Sequence, residues 1–213
     1  CRNPTCLCGF VWRGAQSVLN TKYAMQQQHH TLILGGQKSG KSRYAELMAR
    51  DWLAAAPTHR ATLIATAYAH DSEMAERIAR HRSDRAARVP QLQTQEETLA
   101  VPECIAQHSR PDTLLVVDCL TLWLTNLLMP FEPSAALAPE QAAQRIRALA
   151  DAVQAAPGPV VLVSNEIGLG LIPFTPAVRT FVDQLGLLNQ SLAASCDRAI
   201  LMAAGLPLAF KTP

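Results

Sequence analysis

Eight consecutive residues, Gly35-Gly36-Gln37-Lys38-Ser39-Gly40-Lys41-Ser42, have the types and spacing that grip a polyphosphate. They fit G-x-x-x-x-G-K-[ST], a loop between a strand and a helix whose backbone N–H groups cradle phosphate oxygens. The glycines permit the backbone angles that turn those groups inward. A helix starting directly afterwards adds its positive N-terminal end. In this pattern Lys41 is a point charge for the β and γ phosphates. The Ser42 hydroxyl is a hard oxygen ligand suited to Mg²⁺. Lys38 reads as an exposed loop cation.

A metal at such a loop needs an acidic partner. Leu114-Leu115-Val116-Val117-Asp118 supplies a carboxylate at the end of an apolar run, where ligands gather in open α/β sheets. Asp118 could equally cap the helix that follows. A second cluster is basic: Asp71-Ser72-Glu73-Met74-Ala75-Glu76-Arg77-Ile78-Ala79-Arg80-His81-Arg82. It reads as a helix with an acidic start and a basic end, as the helix dipole favours. Glu73–Arg77 and Glu76–Arg80 are i,i+4 pairs. That leaves Arg82, Arg85 and Arg88 unexplained. Met74, Ile78 and His81 share a face, so His81 could be a packed histidine. It could also be a nucleophile, because neutral imidazole attacks phosphorus near pH 7.

These groups need a scaffold. Apolar runs without polar alternation predict strands at Thr31–Leu34, Thr62–Thr66, Thr113–Asp118, Val160–Ser164, Ala199–Met202 and Leu208–Lys211. Helical patterns lie between them at Lys41–Ala55, Ser72–Ser83, Glu96–His108, Leu120–Leu128, Pro139–Ala155 and Ala177–Ser195. Pro130–Pro139 reads as a surface loop. The alternation predicts an α/β fold with a mostly parallel sheet and flanking crossover helices. A strand runs into the phosphate loop and a helix runs out, which is the context that motif requires.

The 213 residues fit one domain, and 49% hydrophobic with 17% charged residues is ordinary for a globular core. A net charge of +2, with no aromatic stacking platform, gives no case for nucleic acid. No apolar run is long enough to span a membrane. Six scattered cysteines do not make a disulfide framework, so a reduced, cytoplasmic chain is expected. Cys6-Leu7-Cys8 finds no partner pair with metal-ligand spacing. Residues 1–24 show no clear period and are expected to be a non-native or disordered extension, with a single working domain over 25–213.

Further segments carry a family resemblance. They are Ile64-Ala65-Thr66-Ala67, the Glu73-Met74 and His81-Arg82 pairs, and Asp118-Cys119-Leu120-Thr121-Leu122-Trp123-Leu124-Thr125-Asn126-Leu127-Leu128. Two more follow, Ser164-Asn165-Glu166-Ile167-Gly168-Leu169-Gly170 and Leu188-Asn189-Gln190. With the phosphate loop, and over about Thr31 to Lys211, the chain resembles the bifunctional adenosylcobinamide kinase / adenosylcobinamide-phosphate guanylyltransferases of cobalamin biosynthesis. The resemblance implies a RecA-like P-loop fold and a homotrimer. It implies phosphorylation of a corrinoid, adenosylcobinamide, with ATP or GTP, and then transfer of GMP from GTP through a histidine, here His81. Nucleotide contacts would fall on Gly35 to Ser42, Ile64, Ala65, Thr66, Arg82, Ser83, Asp84, Arg85, Glu96 and Asp118, with Ser42 and Asp118 at Mg²⁺. Two segments depart from the family. Leu92-Gln93-Thr94-Gln95-Glu96 lacks the family's Trp, which leaves Glu96 or Glu97 as the guanine-side acid. Pro173-Phe174-Thr175 replaces a Pro-Glu-Asn-like segment. Asn165 and Glu166 could orient substrate or cap the next segment. The competing readings are a P-loop kinase of another small alcohol, which would not use His81 covalently, and a non-catalytic RecA-like nucleotide-binding module.

Overall fold

The computed structural model describes residues 29–213 apart from 70 and 172. The expected extension over 1–24, with Cys1, Cys6 and Cys8, lies outside the described residues. The described strands are β1 (Thr31–Gly35), β2 (Arg60–Ala65), β3 (Gln93–Glu96), β4 (Thr113–Asp118), β5 (Val160–Val163), β6 (Arg198–Ala203) and β7 (Leu206–Lys211). The helices are α1 (Lys41–Ala55), α2 (Ser72–Arg88), α3 (Val101–His108), α4 (Leu120–Leu128), α5 (Pro139–Ala155) and α6 (Pro176–Ser195), with a 3₁₀ turn at Pro133–Ala135.

The strands form one sheet in the order β3-β2-β4-β5-β1-β6-β7. All neighbours pair parallel except β6 and β7, which close antiparallel. Successive strand residues point to opposite faces, and the core splits accordingly. Leu32, Ile64, Leu115, Val117 and Leu162 pack towards α3, α4, α5 and α6, around Trp123. Ile33, Leu63, Leu114, Val116, Val161 and Val163 face the other way, onto Ala45, Ala49 and Trp52 of α1. Those three α1 residues recur at i, i+4 and i+7, the spacing of one helical face. Burial on both faces is why β1, β4 and β5 read as unbroken apolar runs.

The register sets the site. Glu96 pairs with Ala65, Ala65 with Asp118, and Asp118 with Val163, which in turn pairs with Ile33 just ahead of the phosphate loop. One row across the sheet's carboxyl edge therefore carries Glu96, Ala65 and Asp118. Adjacent strands lie about 4.8 Å apart, so the backbones of Glu96 and Asp118 stand about 10 Å apart.

Two expectations need correction. Helix Glu96–His108 starts only at Val101, and Gln93–Glu96 is instead the edge strand β3. All four β3 residues are exposed, so it carries no apolar signal. The helix expected to stop at Ser83 continues to Arg88, because Arg85 and Arg88 find partners on the body of the protein.

Candidate active site

Gly35 closes β1 at φ 149° and Gly40 precedes α1 at φ 100°, and Lys38 also has a positive φ, of 54°. A Cβ on Gly35 would stand 2.4 Å from the Met202 carbonyl oxygen and 2.7 Å from the Ser39 hydroxyl. Only glycine fits there. The Ala204-Gly205 turn between β6 and β7 supports the loop from outside, Gly205 N–H donating to the Ser39 carbonyl at 3.0 Å. From β5's end, Glu166 N–H donates to the Gly35 carbonyl at 3.1 Å.

Lys41 is buried at the start of α1. Its Nζ donates to the carbonyls of Gly35 at 2.9 Å and Gly36 at 2.7 Å, which holds the ammonium inside the loop. Burial lowers its pKa, and the neighbouring Cys119 and Asp118 push it back up. The Ser42 hydroxyl bonds to the Asp118 carboxylate, and His81 and Arg85 lie within electrostatic reach of the same group. Burial raises the Asp118 pKa. The Ser42 hydrogen bond and the charges of His81 and Arg85 oppose that rise, and nearby Glu46 adds to it. Cys119 is no competing nucleophile: burial, then Asp118, push its thiol up to about 11, and the thiol form is unreactive.

Thr66 fixes the turn after Asp118. Its hydroxyl donates to the Cys119 carbonyl at 2.7 Å and accepts from the Cys119 N–H at 2.8 Å. Its carbonyl accepts from Asn126 Nδ2 at 2.9 Å. Thr66 is thus a brace with its side chain fully committed. Ile64 is sealed in the core, and Ala65 at the strand end is half-buried.

α2 stands over this edge. Asp71 caps it, accepting from Met74 N–H at 2.7 Å. His81 and Arg82 are exposed and Arg85 is buried. Arg82 pairs with Glu96, and Arg85 Nη2 donates to the Thr94 hydroxyl at 3.2 Å. Burial lowers the Arg85 pKa, while the charges of Glu46 and Asp118 raise it. Arg82, Arg85, Ala86, Leu92, Thr94 and Glu96 line a pocket of about 360 Å³ between α2 and the sheet edge. Ser83 and Asp84 are exposed on α2, and Asp84 adds to the charge that favours the Arg88 guanidinium.

Glu97 is occupied elsewhere: its Oε1 accepts from the N–H groups of Leu99 at 2.8 Å and Ala100 at 2.7 Å, ahead of α3. Asn165 holds structure too, its N–H donating to Thr121 Oγ1 at 2.9 Å and its carbonyl accepting from Asn189 Nδ2 at 3.0 Å. Glu166 Oε1 accepts from Gly168 N–H at 2.8 Å. Beyond it the loop presents Leu169, Leu171 and Phe174 almost fully to solvent, with Arg179 clipping the carbonyls of Pro173 and Phe174. Two residues the sequence reading did not single out, Thr94 and Glu46, also face the basic helix. Glu46 could have been noticed as a charge beside the buried face of α1.

No helix among the described residues is long and apolar enough to cross a membrane. A family model described as cobinamide kinase / cobinamide phosphate guanyltransferase matches residues 31–210. The bifunctional adenosylcobalamin biosynthesis protein CobP of Pseudomonas aeruginosa is 42% identical over 184 residues, covering 84% of this chain and 96% of that one. Its counterpart CobU of Escherichia coli K12 is 35% identical over 187 residues, covering 84% and 98%. A solved protein of Pyrococcus horikoshii OT3 aligns with a TM-score of 0.51 at 10% identity, covering 91% of this chain and 92% of that one, which bears on the fold alone. A phosphate loop, an acidic strand end and a histidine helix on one sheet edge, matched along nearly the whole described chain, place this protein in the cobinamide kinase / cobinamide phosphate guanyltransferase family.

Proposed function

We propose that this enzyme phosphorylates adenosylcobinamide with ATP or GTP and then transfers GMP from GTP, through His81, to the new phosphate. The products are adenosylcobinamide-GDP and pyrophosphate. The observation that carries this reading is that His81 and Arg85 lie within electrostatic reach of Asp118, which is itself bonded to Ser42 of the phosphate loop. A histidine so close to a phosphate-binding loop has a use in group transfer that a packed core histidine lacks.

In the kinase step, the aminopropanol hydroxyl attacks the γ-phosphorus, a P–O bond forms, and the bond to the nucleoside diphosphate breaks. Lys41 and the loop N–H groups hold the charge that builds on the phosphoryl oxygens. In the second step, neutral imidazole of His81 attacks the α-phosphorus of GTP. A P–N bond forms, pyrophosphate leaves, and the ring gives up its proton. The corrinoid phosphate then attacks the same phosphorus and the P–N bond breaks. Arg82 and Arg85 are the cations for the triphosphate. Glu96 suits the guanine side better than Glu97, whose carboxylate already accepts two backbone N–H groups.

The Ser42 hydroxyl and the Asp118 carboxylate are neighbouring hard oxygens, a donor set that fits Mg²⁺. Ser42 would hold the ion directly and Asp118 through its water shell, and its charge would offset that of the phosphates. The trimer rests on the family resemblance, and sedimentation equilibrium tests it. Free thiols at Cys104, Cys119 and Cys196 fit a reduced, cytoplasmic setting.

The direct test supplies adenosylcobinamide with ATP, GTP and Mg²⁺ and follows the corrinoid products by mass. Adenosylcobinamide phosphate should appear first and adenosylcobinamide-GDP second. Lys41→Ala should remove most phosphoryl transfer, since a positioned charge of this kind supplies roughly 3–4 kcal/mol. Near-normal turnover in that variant would sink the phosphate-loop assignment. Phosphate without the GDP product would leave a kinase alone.

A further inference from the structure

The helix that carries His81 is fastened to the body of the protein by charge. Arg85 is the buried residue of its 17. Its apolar side chains Met74 and Ile78 are only half-buried. Three arginines do the fastening: Arg82 to Glu96, Arg85 to Thr94, and Arg88 to Glu46. The first two contacts land on β3, at the sheet's edge. The third lands on α1, the helix that opens with Lys41 and Ser42.

Spacing makes that third contact informative. His81, Arg85 and Arg88 stand at i, i+4 and i+7, so one face of α2 carries all three. Ser42 and Glu46 stand at i and i+4 on α1. The face of α1 that offers Ser42 to Asp118 therefore meets, one turn on, the face of α2 that offers His81. Glu46 is only 2% exposed, and Arg88 Nε donates to its Oε2 at 2.7 Å. A buried carboxylate stripped of its cation is costly, so the pair resists separation.

We propose that Glu46 is a positioning residue for guanylyl transfer: through Arg88 it sets α2 against the phosphate-loop helix, so that His81 stands over the nucleotide's phosphates. Glu46 touches no reacting atom in this role. The proposal rests on the reading of His81 as the guanylyl carrier. It also explains why α2 runs past Ser83: its last turn delivers Arg88.

The test uses the full-length enzyme with Mg²⁺ and GTP labelled at the α-phosphate. The first-order rate of covalent labelling at saturating GTP is compared with kinase turnover. E46Q keeps the shape and loses the charge. It should slow labelling about 10- to 100-fold, the scale of an ångström-level misplacement, with kinase turnover held within about threefold. E46D, which restores the charge, should recover part of the rate. R88M, which strands the buried carboxylate, should slow labelling at least as much, and the double variant should lose little more than R88M alone, as expected of two residues acting as one unit. Amide hydrogen exchange of residues 72–88 should quicken in E46Q. Unchanged labelling in E46Q overturns the proposal and leaves the histidine reading intact. Equal loss of both steps with a lowered Tm overturns it in favour of a general structural role. If the wild type takes no label, the histidine reading falls and this role falls with it, and the exchange data then show only whether the clamp exists.

Discussion

At the scale of single residues, neighbouring side chains of one type are told apart by what already holds them. Glu96 and Glu97 are neighbours of the same type, yet Glu97 spends its carboxylate on two backbone N–H groups. Among the described residues, the Glu96 carboxylate pairs with Arg82 beside a pocket. Glu96→Ala should therefore raise KM for GTP by about 10- to 100-fold, the weight of a hydrogen bond to a charged group. Glu97→Ala should leave that KM alone and cost about 1–3 kcal/mol of stability, as the loss of hydrogen bonds to a charged group does. Steady-state kinetics with thermal unfolding separate the two, and the reverse pattern would move the guanine-side acid to Glu97. The places of Lys41, Ser42 and Asp118 in the fold were legible in the sequence because each sits at a fixed offset from a strand end. The two hydrogen bonds between Thr66 and Cys119 were not legible, since the residues are distant in sequence and meet through the pairing of β2 with β4.

At the scale of elements, apolar strands declared themselves, the exposed β7 included, and the polar one did not. β1, β4 and β5 carry apolar residues through their middles, whereas Gln93–Glu96 is polar at every position and pairs along the edge that β2 offers it. Likewise the end of α2 was hidden: nothing local to Arg88 announces Glu46, which lies 42 residues away. The junction of β1 with α1 tolerates little change. Gly35→Ala would combine a strained φ with a Cβ pressed onto the Met202 carbonyl. Strain of this kind costs about 1–3 kcal/mol. Nucleotide affinity should fall with stability, and a variant that binds GTP normally would show that the loop's shape matters less than its charges.

At the scale of the whole molecule, the fold keeps a carboxylate where the protein alone would rather not have one. The native pKa of Asp118 is raised, chiefly by burial. Its contribution to stability is therefore fullest below the unfolded value of about 3.9 and is lost as pH rises through the native value. Asp118→Asn removes the ionised form. It should raise Tm at pH 7 while abolishing most activity, and the gain should shrink as the pH falls towards 4. A lowered Tm at pH 7 would mean that Ser42, His81 and Arg85 more than repay the buried charge. Among the described residues, one face of the sheet packs against α3 to α6 and the other against α1, and the phosphate loop, Asp118 and Glu96 gather at the sheet's carboxyl end.

The covalent intermediate is the claim on which the rest depends. The enzyme is mixed with Mg²⁺ and GTP labelled at the α-phosphate, and protein-bound label is tested for the acid-labile, alkali-stable behaviour of a phosphorus–nitrogen bond. Label on the wild type and none on His81→Ala, with the kinase step preserved in that variant, is the predicted result. Equal label on both proteins, or none on either, would contradict it.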